Sequence, residues 1–427
     1  MPENTDKSQK NIFQRLFQRR FWRSLGLFFA LIGPGIITSN VDNDAGGITT
    51  YSLAGAQFGL SLLWILIPIT IALIIIQEMC ARMGVVSGKG LSDLIRERFG
   101  AKITVYLMIV LFLANLGNTI SEFAGIAASL EIFGVSKYIS VPIGAFFVWW
   151  LVVKGNYKSV EKVFLVACLF YISYIISGFM GKPDWGQIGK ALITPTIRPD
   201  PAFLTMAVAI VGTTIAPWMQ FYLQSSVVDK GLKAENYAYT RIDIIVGSFT
   251  VNIVAFFIIM LCAVTLFHQG IKIETAKDAA QALAPLAGAY CTWLFAFGLL
   301  NASLFAASIL PLSTAYTICE AFGWESSVNH KFTEAPQFYW LYSLMIFLGA
   351  AIILFPNMPL VAIMFYSQVI NGMLLPFILI FMLLLINDRR IMGDHVNGKL
   401  MNGVTWLTVG VLILLSLAIV VTSLLPA

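Results

Sequence analysis

Eleven apolar runs leave this chain few choices of fold. They lie near residues 26–58, 60–82, 103–133, 138–153, 157–180, 202–229, 240–267, 288–321, 338–356, 361–387 and 403–425. A helix needs ~17–25 apolar residues to cross a hydrocarbon core, and all but the short fourth run approach or exceed that length. Within that core each backbone N–H and C=O must be satisfied by the protein itself, which admits helices or a closed barrel and little else. Continuous runs of this length predict helices. Of 427 residues, 58% are hydrophobic and 11% charged, against about 25% charged in an ordinary soluble domain. The expected class is an all-α polytopic membrane protein with almost no soluble domain, its first, sixth and eighth spans long or interrupted.

The basic residues orient the spans. With the N-terminus inside, the tail and the segments 82–102, 154–162, 230–241, 331 and 389–399 carry 21 of the 27 Lys and Arg, and the opposite loops carry six. Positive residues stay cytoplasmic, so the reading is N-terminus in, C-terminus out. The net charge of +5 then faces anionic lipid and does not argue for nucleic acid. Residues 1–25 show no apolar core with a small-residue cleavage site, so no cleavable leader is expected there. Arg15, Arg19, Arg20 and Arg23 alternate with Phe13, Phe17, Phe21 and Trp22, the pattern of an amphipathic interfacial lead-in. Cys80, Cys168, Cys262, Cys291 and Cys319 are scattered through apolar runs without metal or disulfide spacing and read as core.

The first span is interrupted by Asn40-Val41-Asp42-Asn43-Asp44-Ala45-Gly46-Gly47. An ionised Asp at mid-membrane costs at least ~2.5 kcal/mol, which marks a site rather than a scaffold. The neighbouring glycines let the helix unwind and turn carbonyls toward a cavity. The sixth span has its own interruption, Val211-Gly212-Thr213-Thr214-Ile215-Ala216-Pro217-Trp218. Pro217 has no N–H, so the carbonyl one turn back, at Thr213, loses its donor. The two breaks lie at similar depth and five spans apart. Five is odd, so the two halves run in opposite directions, and paired broken helices in inverted halves are how secondary transporters build cation sites. The division expected is a basic tail over 1–25, a first repeat over 26–180, a second over 202–387 and an extra helix over 403–425.

Other polar residues sit at membrane depth. Asn115, Asn118 and Glu122 share one face of the third span, with Thr119 beside them, and Gln368 and Asn371 lie in the tenth. For the asparagines, interhelical hydrogen bonding at ~0.6 kcal/mol each is the plainer reading. Glu122 is harder to set aside, because a lone acid needs water or a partner. Glu78 and Arg82, four residues apart, read as an ordinary helix ion pair.

These residues resemble a known family. Gly33-Pro34-Gly35 followed by Asp44-Ala45-Gly46-Gly47 is similar to the first helix of the Nramp divalent-metal transporters, with their Asp-Pro-Gly-Asn motif. The similarity runs on through Ser61-Leu62-Leu63-Trp64, Gln77-Glu78-Met79-Cys80-Ala81-Arg82-Met83-Gly84, Asp93-Leu94-Ile95-Arg96-Glu97-Arg98-Phe99, Gly298-Leu299-Leu300-Asn301-Ala302-Ser303, Ser367-Gln368-Val369, Leu375-Pro376-Phe377 and Asp388-Arg389-Arg390-Ile391-Met392-Gly393. The resemblance implies a LeuT-like inverted repeat of five plus five helices, with helices 1 and 6 broken, and an eleventh helix. It implies a metal site drawn from Asp44, Gly46, Gly47, Thr213, Ala216 and Gln368, with Asp42, Asn118, Thr119, Glu122 and Trp218 on the pathway or around the ligands. Asp42 is left open between ligand and outer vestibule.

The departures from that family narrow the expectation. Ala45 and Gly47 stand where the family motif has Pro and Asn, and Ala216-Pro217-Trp218 where it has Met-Pro-His. Thr119 and Glu122 replace an acidic pair in the third helix, and residues 338–356 hold no basic residue where the family carries arginines. This set resembles the Nramp-related magnesium transporters. A thioether favours soft metals, and Ala216 removes it, leaving an oxygen-only and roomier site for a largely hydrated Mg²⁺, with Mn²⁺ also accepted. Trp218 and Thr119 cannot carry a proton, so uncoupled import by alternating access is expected, in a monomer in a prokaryotic-type plasma membrane, with no cofactor and no catalysis. The rival is a proton-coupled Mn²⁺ or Fe²⁺ carrier, and a reading from another class is a Mg²⁺-permeable channel.

Overall fold

Two breaks in otherwise regular helices organise the fold. The structure, a computed structural model, describes residues 38, 41–154, 168–233, 235 and 237–424. In chain order its main helices are α1 (Ala45–Phe58), α2 (Leu66–Ser87), α3 (Leu91–Phe99), α4 (Ala101–Glu131), α5 (Lys137–Val153), α6 (Ile172–Met180), α7 (Trp185–Ile193), α8 (Pro201–Thr214), α9 (Pro217–Asp229), α10 (Tyr237–Thr265), α11 (Cys291–Phe322), α12 (Pro336–Ile353), α13 (Leu360–Ile386) and α14 (Lys399–Leu424). Among the described residues eight helical stretches are long and apolar enough to cross a bilayer, with α5 a shorter ninth. The other two expected spans are described in part: α1 is the second half of the first, and Cys168–Met180 the end of the fifth. The basic tail over residues 1–25 and most of the first half of span one lie outside the described residues.

The sequence dictates where these helices stop. Asp200 caps α8, its carboxylate accepting the Phe203 N–H at 3.2 Å, and Pro201 follows at the first helical position, where a missing N–H does no harm. Pro142, Pro311 and Pro376 lie inside α5, α11 and α13, tolerated because neighbouring helices satisfy the freed carbonyls.

The packing follows an inverted repeat. α1 packs on α10, and the equivalent partners in the other half, α9 and α2, pack on each other; likewise α5 lies on α4, and α12 on α11. The pair α4 and α11 forms the centre, and α13 lies across α4, α8 and α1. Small residues permit the closest approaches. A Cβ at Gly212 of α8 would fall 2.1 Å from the Gln368 carbonyl and 2.3 Å from the Gly372 nitrogen of α13. The outer faces are apolar and open, with Ile71, Leu113, Phe146, Phe347 and Leu407 all exposed, as a lipid-facing surface requires.

One expectation needs correcting. Glu78 and Arg82 form more than a local helix pair. Arg82 also donates to the backbone carbonyls of His395 and Val396 and to the Asn397 side chain, while Tyr237 donates to Glu78. The residues that ring this ion pair come from two distant segments, and sequence spacing within one helix carries no trace of them.

Candidate functional site

The first break is built around one carboxylate. Asp44 takes an extended backbone conformation and caps α1, its Oδ1 accepting the Gly47 N–H at 2.6 Å. Capping by Asp satisfies an otherwise orphaned donor and places negative charge at the positive end of the helix dipole. Before it, residues 42 and 43 form a turn, with the Asp42 N–H on the Thr38 carbonyl at 3.1 Å. Asp44 is 4% exposed.

The two glycines do something other than widen the site. A Cβ at Gly47 would lie 2.5 Å from the Asp42 carbonyl oxygen and 3.1 Å from the Thr213 hydroxyl, and one at Gly46 would lie 1.9 Å from Gln368 Nε2. The space a side chain would fill is already occupied by oxygen and amide groups of the turn, of α8 and of α13. Gly46 and Gly47 are small so that these groups can converge on Asp44.

The second break supplies backbone. α8 ends at Thr214, Ile215 and Ala216 leave the helical conformation, and α9 begins at Pro217. The Thr213 carbonyl has no N–H to accept at Pro217, and its buried hydroxyl has no hydrogen-bond partner among the described residues. The negative end of the α8 dipole thus points at the junction. Ala216 and Trp218 are each 1% exposed. The Trp218 carbonyl accepts from Ser313, and its ring lies near Tyr222, so it packs rather than lines open water.

Glu122 belongs to the first break. Its Oε2 accepts the Ala45 N–H at 3.3 Å, its Oε1 has no partner among the described residues, and the side chain is fully buried. It shares the N-terminus of α1 with Asp44 and lies within its electrostatic reach. Glu122, expected on the pathway or around the ligands, thus meets Asp44 at the first break. Asp42 is buried, 2% exposed, and both carboxylate oxygens lack a partner among the described residues; it does not open onto an outer vestibule.

A polar bridge ties α13 to α4. Asn118 and Asn371 exchange amide hydrogen bonds at 2.9 and 3.0 Å, and Asn371 also donates to Gln368 Oε1 at 2.8 Å. Gln368 turns its nitrogen toward Gly46. To offer oxygen to an ion at Asp44, the amide must rotate and release Asn371. Asn115 donates to Thr314, and the Thr119 hydroxyl donates to the Asn115 carbonyl, so both are spent on packing. Toward the loops at the far end of α1, Thr49 donates to Met364 Sδ at 3.5 Å and Tyr51 pairs with Thr214 at 2.8 Å. A cavity of about 510 Å³ lined by Leu53, Gln57, Met206 and Phe365 lies on that side. Asn371 was already legible beside Gln368, and Met364, four residues before Gln368 on the same helix face, could have been found too; the Thr49 and Tyr51 partners could not.

Most of the chain matches known proteins. The family model for Natural resistance-associated macrophage protein-like chains covers residues 35–422. The chain belongs to the Nramp family. It is similar to the divalent metal cation transporter MntH of Deinococcus radiodurans, 25% identical over 92% of this chain and 90% of that one. It is also similar to the protein of the same name in Bacillus subtilis, 26% identical over 92% of each. Among solved structures it resembles the Eremococcus coleocola manganese transporter, with a TM-score of 0.76 at 22% identity over 92% of this chain and 86% of that one. It also resembles MHP1, a nucleobase-cation-symport-1 family transporter, with a TM-score of 0.54 at 14% identity over 90% and 91%. This Nramp chain has the LeuT-like inverted-repeat fold, with Asp44, Gly46, Gly47, Thr213 and Gln368 meeting where its two broken helices cross.

Proposed function

We propose that this chain carries divalent metal ions across the membrane by alternating access, Mg²⁺ first and Mn²⁺ also, without moving protons. The MntH relatives are named for divalent metal cations and the Eremococcus coleocola neighbour for manganese, which supports the ion class and a carrier rather than an enzyme. The observation that carries the preference is the donor set at the junction. Asp44, Glu122, the Thr213 carbonyl and the Gln368 amide can all offer oxygen, and Ala216 stands where the family motif has its methionine. Met364, one turn away along α13, has its sulfur engaged by Thr49. Among the described residues no three His, Cys, Asp or Glu side chains converge on one point. Mg²⁺ prefers oxygen and is usually held by one or two carboxylates while keeping water, and soft metals gain nothing from such a set. In this reading Asp44 is the dominant ligand, and the chain would be kin to the Nramp-related magnesium transporters that its departures from the family motifs resemble.

Uncoupled transport is supported by Trp218, by Thr119 spending its hydroxyl within α4, and by the lack of any basic residue in α12. The potential is worth about 2.3 kcal/mol per elementary charge per 100 mV, enough to draw a doubly charged ion inward. One observation favours the proton-coupled rival: Glu122 and Asp44 meet at the N-terminus of α1, so two acids rather than one face the arriving ion. In the proposed cycle the chain works as a monomer in a prokaryotic-type plasma membrane, N-terminus inside and C-terminus outside, with no cofactor.

Proteoliposomes carrying a lumenal pH dye separate these readings. Expected are saturable Mg²⁺ and Mn²⁺ uptake, poor Ca²⁺ uptake and no metal-dependent change in lumenal pH. Acidification that Glu122→Gln abolishes would establish the coupled carrier, and flux that never saturates would establish a pore.

A further inference from the structure

Away from the broken helices, a second group of carboxylates faces a cavity of about 470 Å³ at the opposite end of α9. Asp93 comes from α3, Asp229 from the last turn of α9 and Glu320 from the last turn of α11, and the cavity is closed by Ser225, Tyr316 and the loop carrying Asn329 and His330. The three helices pack on one another around it. Asp229 is held by one oxygen, which accepts from Tyr316 at 3.4 Å and Asn329 at 3.3 Å, while Asp93 accepts the Gly90 N–H at 3.3 Å. Burial raises the Asp93 pKa above the ordinary carboxylate value.

Glu320 is the exception in this group. It is 8% exposed, and its Oε2 has no hydrogen-bond partner among the described residues. Its carboxyl lies flat against Gly90, where a Cβ would come within 2.0 Å of Oε2. No Lys or Arg among the described residues pairs with it. A buried carboxylate normally finds donors or a cation for its oxygens; Ser225 serves the Glu320 carboxyl, but Oε2 is left without one on a cavity that Asp93 and Asp229 also line.

We propose that Asp93, Asp229 and Glu320 form a second, weaker site for a hydrated divalent cation, at the mouth through which the ion leaves the broken helices. Among the described residues no three such side chains stand at direct ligation distance, so an ion here would have to be held through its water shell, which Mg²⁺ keeps readily. Position supports the role. α9 begins at Pro217, just after Ala216, and ends at Asp229, so one helix about 20 Å long links the two sites. The flanking segments 82–102, 230–241 and 331 are those that the Lys and Arg bias assigns to the cytoplasm. The inference rests on the proposed metal transport for its choice of ion, but not for its geometry.

Mn²⁺ binding to the full chain in nanodiscs, followed by the loss of the free-ion paramagnetic resonance signal, tests it. The wild type is expected to show a tighter and a weaker class of site. Asp44→Ala should remove the tighter class and leave the weaker. Adding Glu320→Gln or, on the cavity rim, Asp229→Asn to that background should weaken the remaining class about tenfold, and Mg²⁺ should compete for it. A wild type with no weaker class, or a weaker class that neither substitution changes, overturns the proposal. If Glu320→Gln alone also removes the tighter class, Asp229→Asn decides. If Asp44→Ala leaves the tighter class intact, the transport-site reading fails while the Glu320 and Asp229 arms still decide this one.

Discussion

The two breaks solve the same problem with opposite chemistry. The first is acidic and crowded: Asp44 caps α1, Glu122 reaches in to the Ala45 N–H, and Gly46 and Gly47 are pressed against Gln368, Thr213 and the Asp42 carbonyl. The second is neutral: Thr213, Thr214, Ile215 and Ala216 bring no charge, and Pro217 frees a carbonyl simply by lacking an N–H. Their dipoles also differ. α1 presents its positive end to the junction, which suits carboxylates, and α8 presents its negative end, which suits the cation. Charge comes from one half of the repeat and backbone polarity from the other. Evolution can therefore alter selectivity at the second break without touching the charge that the ion needs.

The largest test of that division is Asp44→Ala. Removing one partner of a buried ion pair costs ~3–5 kcal/mol, so Mg²⁺ and Mn²⁺ affinity should each fall by at least about a hundredfold, measured by calorimetry on the protein in nanodiscs. Near-wild-type affinity would mean that Glu122 or Asp42 holds the ion and that the first break is misassigned.

A smaller change is expected from Ala216→Met, which adds a thioether to the neutral break and leaves the acidic one alone. Sulfur ligation favours softer ions, so Mn²⁺ and Cd²⁺ should gain on Mg²⁺ by about tenfold, a shift near 1.4 kcal/mol, in competition uptake assays. Joining it with Gly47→Asn would blur the result. A Cβ at Gly47 falls 2.5 Å from a backbone oxygen, so that substitution disturbs the turn carrying Asp44 before its amide can contribute. An unchanged Mg²⁺ to Mn²⁺ ratio in Ala216→Met would remove the soft-ligand argument.

How far the sequence reached follows from the range of each interaction. The spans were legible because hydropathy is summed over ~20 residues and needs no tertiary information, and α4, α11, α13 and α14 fall close to their expected limits. The breaks were legible because Asp44 and Pro217 act on their own helix. The convergence of Asp44, Thr213 and Gln368 came from the family resemblance, and the residues themselves offered only matched depth. What stayed hidden was contact between distant segments: Glu122 at the Ala45 N–H, 77 residues away, Asn118 against Asn371, and the Arg82 partners near residue 396. The crowding around Gly46 and Gly47 stayed hidden for the same reason, because Gln368 and Thr213 reach them from distant segments.

The smallest expected effect is also the most pointed one for the comparison. If the second break contributes backbone, then Thr213→Val, which keeps the shape and the carbonyl but deletes the hydroxyl, should change Mg²⁺ affinity by less than about threefold, the ~0.6 kcal/mol typical of a membrane-buried polar contact. The hydroxyl has no partner among the described residues, so the substitution strands no neighbour, and any loss reports on the ion alone. The valine γ-carbon would occupy the place of the hydroxyl beside Gly47, and an oxygen-to-methyl change of that size is accommodated by a few tenths of an ångström. A loss approaching that of Asp44→Ala would show that a side chain of the neutral break coordinates directly. The division into a charged half and a backbone half would then have to give way to a site in which both breaks present side chains.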